Sequence, residues 1–242
     1  MGDSTPVIYL LAGVTASGKS EHALRWAQQM NGKILSCDSI AVYRGMDVGS
    51  AKPTSEDRSK VIHHGIDLVD ASKIFSVLDY SLYAREVIDS AIDEKKPILI
   101  TGGSGFYLQS FLSPVVDRVE VSLEVRQEVE QVNERQGLQG MLTILKKLNP
   151  HGLGELDVLN PRRVMRGLER CLTSGKTLLE LKKEFEEQEK PYAGFEKRVL
   201  WLDRGNEEIK SRIAKRTEQM LENGLLREAE KLVSSGINNN PS

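Results

Sequence analysis

The strongest constraint on the fold sits near the start of the chain. A short apolar run, Val7–Ala12, passes directly into GVTASGKS, Gly13–Ser20, and then into a helix-length segment. The spacing is G-x-x-x-x-G-K-[ST], and it stands in the strand–loop–helix context that gives this pattern its meaning. Each part has a physical task. Gly13 and Gly18 let the loop curl so that the backbone N–H groups of Val14, Thr15, Ala16 and Ser17 turn inward around an anion. The helix beginning near Lys19 adds the positive end of its dipole. Lys19 supplies a full charge, and the Ser20 hydroxyl is a ligand type suited to Mg²⁺. The loop therefore predicts a phosphate or diphosphate site, without saying which compound carries the phosphate.

Four more β-rich runs follow: Ile34–Cys37, Ile66–Val69, Pro97–Thr101 and Val199–Asp203. Most are continuously apolar, as expected of strands buried on both faces of a parallel sheet. Between them, Ser20–Met30 and Val77–Ile92 carry apolar residues at helical spacing. This alternation predicts βαβ units and an α/β fold, a P-loop NTPase-like parallel sheet flanked by helices. The pattern breaks after Leu112. Val125, Val129 and Val132 recur at helical spacing, as do Leu138, Leu142, Leu145 and Leu148 before Pro150 closes the run. The expected organisation is a discontinuous core domain, 1–117 and 197–242, with an α-helical insertion over 118–196. The tail, Asn238–Ser242, reads as the start of a loop.

Composition sets limits. Of 242 residues, 39% are apolar, which together with 20 glycines is enough to build a core. The 33 Lys+Arg against 35 Asp+Glu give a net charge of −2, which excludes a uniformly basic nucleic-acid coat. It does not exclude one RNA held along one face. Arg162, Arg163, Arg166 and Arg170 fall within about 100° of a helical wheel, opposite Val164, Leu168, Cys171 and Leu172. That stripe reads either as a phosphate-binding face or as an ordinary solvated one. Two cysteines, Cys37 and Cys171, make no disulfide framework and suit a reducing compartment. No apolar run approaches the roughly 18 residues of a membrane span, and no basic leader precedes one. A cytoplasmic protein without a membrane segment is expected.

Ligands in open α/β sheets bind beyond the carboxyl ends of the strands. Ile34–Cys37 ends at Asp38, whose carboxylate belongs beside the phosphate loop as a proton acceptor or metal ligand, or else caps a turn. Pro97–Thr101 ends in GGSGFY, with Gly102 where many P-loop NTPases place a Mg²⁺-binding Asp. After the last strand, Arg212 and Arg216 lie one turn apart, either clamping phosphoryl oxygens or pairing with Glu208 on a solvated face. The adjacent His63 and His64 face apart on an extended strand and suggest a structural role rather than a metal site.

Taken in order, these segments resemble one family, the tRNA dimethylallyltransferases. GVTASGKS is similar to that family's phosphate loop, and DSIAVYRGMDVGSAKP, Asp38–Pro53, resembles its most distinctive signature. HHGIDLVD, GGSGFYLQS, NPRRVMRGLE and RTEQMLENGLLREAEKLVSSG continue the match over nearly the whole chain. Val14 stands where the family usually has Pro, and Ala41 where many members have Gln. A basic T-R-x-x-A-K-R-Q segment usually follows in the family and is expected past Ser242, so the chain reads as C-terminally truncated.

The resemblance implies a prenyltransferase that moves a dimethylallyl group from dimethylallyl diphosphate to the exocyclic amine of the adenosine 3′ to the anticodon. It implies that Gly13–Ser20 hold the diphosphate, that Mg²⁺ sits on Ser20, and that Asp38, Thr15, Arg212 and Arg216 serve the chemistry. It further implies tRNA contacts at Asp38, Ser39, Ile40, Ala41, Ser104, Arg126 and the segment Pro161, Arg162, Arg163, Val164 and Met165. A monomer is expected. The competing readings are an ATP-dependent kinase of a small molecule or nucleotide, and a catalytically silent tRNA- or nucleotide-binding module.

Overall fold

The computed structural model describes residues 5–240; Pro241 and Ser242, the end of the expected loop, lie outside them. The chain divides into two compact units, Met1–Val115 with Lys190–Ser242, and Val116–Glu189.

The first unit is built on strands β1 (Val7–Gly13), β2 (Lys33–Ser36), β3 (His63–His64), β4 (Ile98–Thr101) and β5 (Glu196–Leu202). All pair in parallel, in the order β3-β2-β4-β1-β5. Its helices ahead of the second unit are α1 (Lys19–Met30), α2 (Ser55–Lys60), α3 (Val77–Asp93) and α4 (Gly105–Gln109). Because strand side chains alternate between faces, Ile8, Leu10, Leu35, Ile98 and Ile100 point one way, onto Tyr80, Ala84, Val87, Ile88 and Ala91 of α3. Leu11, Ile34 and Leu99 point the other way, onto Ala23 and Ala27 of α1. Both faces are thus covered, and the strand ends β1, β2 and β4 are carried to one edge of the sheet.

Two expectations about strands fail. The run Ile66–Val69 is not a strand; β3 lies at His63–His64, and Val69 makes an isolated bridge to Tyr43. Gly65 (φ 76°) and Asp67 (φ 55°) break the extended backbone, and Asp67 turns to meet Lys52 and Arg58. The last strand is real but not buried on both faces. As the sheet edge, β5 pairs with β1, and Trp201 remains 67% exposed. Lys190–Glu196, expected within the insertion, belongs to the sheet unit, where Tyr192 stacks on Phe111 at 5.6 Å.

The second unit contains α5 (Leu123–Leu148), kinked at Gly137 (φ 61°), α6 (Pro161–Ser174) and α7 (Leu178–Glu186). Val129, Met141, Leu145, Val164, Leu168 and Leu181 form its core. Asn149 joins the ends of two helices: its Nδ2 donates to the Leu145 carbonyl at 2.8 Å and its Oδ1 accepts from the Leu178 amide at 2.6 Å. In the sheet unit, α8 (Asn206–Glu222) and α9 (Leu225–Ser234) follow β5, before a 3₁₀ turn at Ile237–Asn239. Among the described residues, no helix is long and apolar enough to cross a membrane.

Candidate active site

The phosphate loop begins where β1 ends. Gly13 has φ 150°, and a Cβ there would lie 2.4 Å from the Leu202 carbonyl oxygen, so a side chain has no room beside β5. Ala16 (φ 62°) and Gly18 (φ 101°) complete the curl. Helices α2 and α3 are closed by capping boxes from Thr54 and Ser76, whereas α1 starts at Gly18 with no side-chain cap. Its first amides are therefore left for a ligand at the positive end of the dipole.

Cations gather here from both ends of the unit. The Lys19 ammonium donates to the Gly13 and Val14 carbonyls at 2.9 and 2.7 Å. Burial lowers the Lys19 pKa, the nearby Arg216 guanidinium lowers it further, and Asp38 opposes both. Arg212 donates through Nε to the Ala16 carbonyl at 2.7 Å and so braces the loop. Arg212, Lys215 and Arg216 line a cleft of about 740 Å³ together with Thr15, Ala16, Gly18, Lys19, Ser20 and Asp38. The arginine pair thus forms a cleft wall, and Glu208 also approaches Arg212 at 3.9 Å.

Two cations at the loop and cleft carry no expectation from the sequence, Lys215 on the cleft wall and Arg204. Arg204, just past β5, donates through Nε to the Ser17 carbonyl at 2.5 Å and pairs with Glu208. A Cβ on Gly18 would lie 3.4 Å from Arg204 Nη2 and 3.5 Å from Arg212 Nη2, so two guanidiniums flank the loop. Its position at the carboxyl end of a strand was the available signal. His63, expected in a structural role, also lines the cleft, with Nδ1 2.9 Å from the Val61 carbonyl oxygen.

Asp38 caps the turn after β2, and its side chain also lines the cleft. Its Oδ1 accepts from the Ile40 and Ala41 amides at 2.9 and 3.2 Å, which fixes the turn after β2. Its Oδ2 faces Gly103, where a Cβ would lie 3.4 Å away. Gly102 has a plain steric reason: a Cβ would sit 2.1 Å from the Cys37 carbonyl oxygen, so the ends of β2 and β4 close only over a glycine. Ser104 then reaches Ser39, accepting from its amide at 2.7 Å and donating to its hydroxyl at 2.9 Å. Ile40 is exposed and Ala41 is buried.

The remaining expected tRNA residues lie in the helical unit. Arg126 is exposed on α5, and Pro161, Arg162 and Arg163 are exposed at the start of α6. Met165 is half-buried, and Val164 is fully buried in the core, because α6 turns that face inward. Its side chain is not available to RNA. Nor is the arginine stripe uniform: Arg166 bonds buried Glu169 at 2.7 Å and Arg170 is ion-paired with Asp117, while Arg163 lies 3.8 Å from Asp157.

The chain matches the family model described as IPP transferase over residues 41–242. It is 45% identical over 237 residues to a tRNA dimethylallyltransferase of Opitutus terrae, covering 98% of this chain and 76% of that protein. It is 37% identical to a tRNA dimethylallyltransferase of Protochlamydia amoebophila, covering 97% and 67% of the two. Among solved structures, a eukaryotic dimethylallyltransferase acting on tRNA superposes with a TM-score of 0.83 at 26% identity, covering 95% of this chain and 56% of that one. The tRNA isopentenylpyrophosphate transferase of Bacillus halodurans gives a TM-score of 0.65 at 30% identity, covering 99% and 73%. With its phosphate loop and Asp38 facing one cleft, the chain belongs to the IPP transferase family.

Proposed function

We propose that this chain transfers a dimethylallyl group from dimethylallyl diphosphate to the exocyclic amine of the adenosine 3′ to the anticodon of tRNA, releasing diphosphate. The carrying observation is a cationic phosphate loop and a fixed carboxylate, Asp38, lining the same cleft. The loop amides, Lys19, Arg212 and Arg216 hold the diphosphate and stabilise the charge it gains as the allylic C–O bond breaks. The adenine amine forms the new C–N bond, and Asp38 Oδ2 takes its proton while Oδ1 stays anchored to the turn. Thr15, exposed on the loop, lines the same space.

The donor set fits Mg²⁺. The Ser20 hydroxyl and the Asp38 carboxylate are oxygen donors lining the phosphate-loop cleft, the donor type Mg²⁺ takes alongside substrate phosphates and water. Ser20, lining the cleft, would hold it. A Mg²⁺ ion held there would supply neutralising charge for the leaving diphosphate.

The target base must be extruded to react. Arg126 and the exposed start of α6, Pro161–Arg163, supply backbone-positioning contacts of the kind that set register without reading sequence. The proposed enzyme acts as a cytoplasmic monomer on dimethylallyl diphosphate and tRNA. The test is incorporation of a labelled dimethylallyl group into tRNA by the full-length protein. Asp38→Asn should lower incorporation about 10²-fold or more while inorganic diphosphate still binds. Unchanged labelling would refute the assigned base, and ATP turnover with a small acceptor would refute the reaction.

A further inference from the structure

The signature segment Asp38–Pro53 has little regular structure of its own, yet it supplies one wall of the cleft through Ser50, Ala51, Lys52 and Pro53. Part of its order is internal. The Lys52 ammonium, almost fully buried, donates to the Tyr43 carbonyl at 2.6 Å, to Asp47 Oδ1 at 2.8 Å and to Asp67 Oδ1 at 2.6 Å. The Ala51 and Lys52 amides return to the Val48 and Asp47 carbonyls. The amides of Asp47, Val48 and Gly49 go elsewhere. All three donate to one side chain, Glu228 of α9: Oε2 accepts from Asp47 and Val48 at 2.8 and 2.7 Å, and Oε1 accepts from Gly49 at 2.9 Å. A Cβ on Gly49 would come within 3.3 Å of that carboxylate and 3.2 Å of Leu225 Cδ1, so the loop lies hard against α9.

We propose that Glu228 is a positioning residue for the transfer reaction: its carboxylate holds the loop that forms one wall of the cleft, without touching the substrate. This rests on the function proposed above. A carboxylate is acceptor-only and can take three converging N–H donors, whereas an amide turns its own NH₂ toward one of them. Glu228→Gln should therefore loosen the loop while preserving the volume of the side chain.

The experiment uses the full-length protein with Glu228→Gln and Glu228→Ala. Hydrogen exchange on the free protein should rise at the amides of 47–49 and stay unchanged in α1 and the phosphate loop. Inorganic diphosphate should bind within about twofold of wild type, while kcat for tRNA prenylation falls about tenfold to a hundredfold, the cost of a displacement near 1 Å at a reacting centre. Unchanged exchange at 47–49 in Glu228→Gln would overturn the clamp. Raised exchange with unchanged kcat, or loss of diphosphate binding in parallel with kcat, would overturn the positioning role. Because exchange and diphosphate binding are read without tRNA, the clamp is judged even if the wild-type chain prenylates no tRNA.

Discussion

Replacing Gly102 with alanine tests how the site is assembled. The added Cβ would lie 2.1 Å from the Cys37 carbonyl oxygen, 2.3 Å from its carbon and 2.8 Å from its Cα. A tolerable C···O contact is about 3.3 Å, so the ends of β2 and β4 must separate by roughly 1 Å. Nothing flexible is available to yield, since every neighbour named is backbone. Overpacking of this kind costs about 1–3 kcal/mol, which for a unit of this size lowers Tm by about 2–12 °C. The displaced backbone carries Asp38 on one strand end and Ser104 on the other, and the Ser104–Ser39 bonds at 2.7 and 2.9 Å span that junction. A 1 Å error between Asp38 and the bound diphosphate should cost about 10²-fold in kcat. Gly105→Ala is the control, because a Cβ there meets nothing within 4 Å. Thermal unfolding and labelled-prenyl transfer to tRNA read the two effects. A Gly102→Ala protein with wild-type Tm and kcat would refute the steric account of this glycine.

Arg204→Ala should weaken inorganic diphosphate binding by about 1 kcal/mol, roughly fivefold by calorimetry, since the Ser17 carbonyl loses its brace; equal affinity would show that the loop holds itself. Lys19 carries a charge whose pKa is lowered from 10.5, by burial first and Arg216 second. Deprotonation removes that charge, so diphosphate affinity should hold at neutral pH and decline as pH rises through a value below 10.5. Lys19→Arg should move that alkaline limb upward, and an unmoved limb would assign the titration to another group.

Much of this protein is written locally. The strand–GVTASGKS–helix unit, the parallel alternation and the carboxylate after β2 are patterns of adjacent residues, and local backbone physics enforces them. Asp38 was legible because strand ends in such sheets converge on one edge. The limits of local reading show at three places. Ile66–Val69 has strand composition, but Gly65 takes positive φ hard against the Ser36 carbonyl, and Asp67 takes positive φ where Lys52 and Arg58 hold its carboxylate. Val164 sits within an arginine-rich segment, yet helical rotation carries it into the core while Arg162 and Arg163 stay outside. Trp201 and its neighbours look like a buried strand, and their place at the sheet edge leaves them exposed.

The sequence by itself determined that this chain builds a phosphate loop on a parallel sheet and places a carboxylate at the next strand end. Only the tertiary structure decided what surrounds them: Arg204 on the Ser17 carbonyl and Glu228 on the amides of 47–49, pairs separated by 187 residues and by 179 to 181. The periodicities and motifs of sequence extend over a few turns of helix or a few strand residues. Partners so far apart are chosen by how the sheet and its helices pack, which no local spacing records.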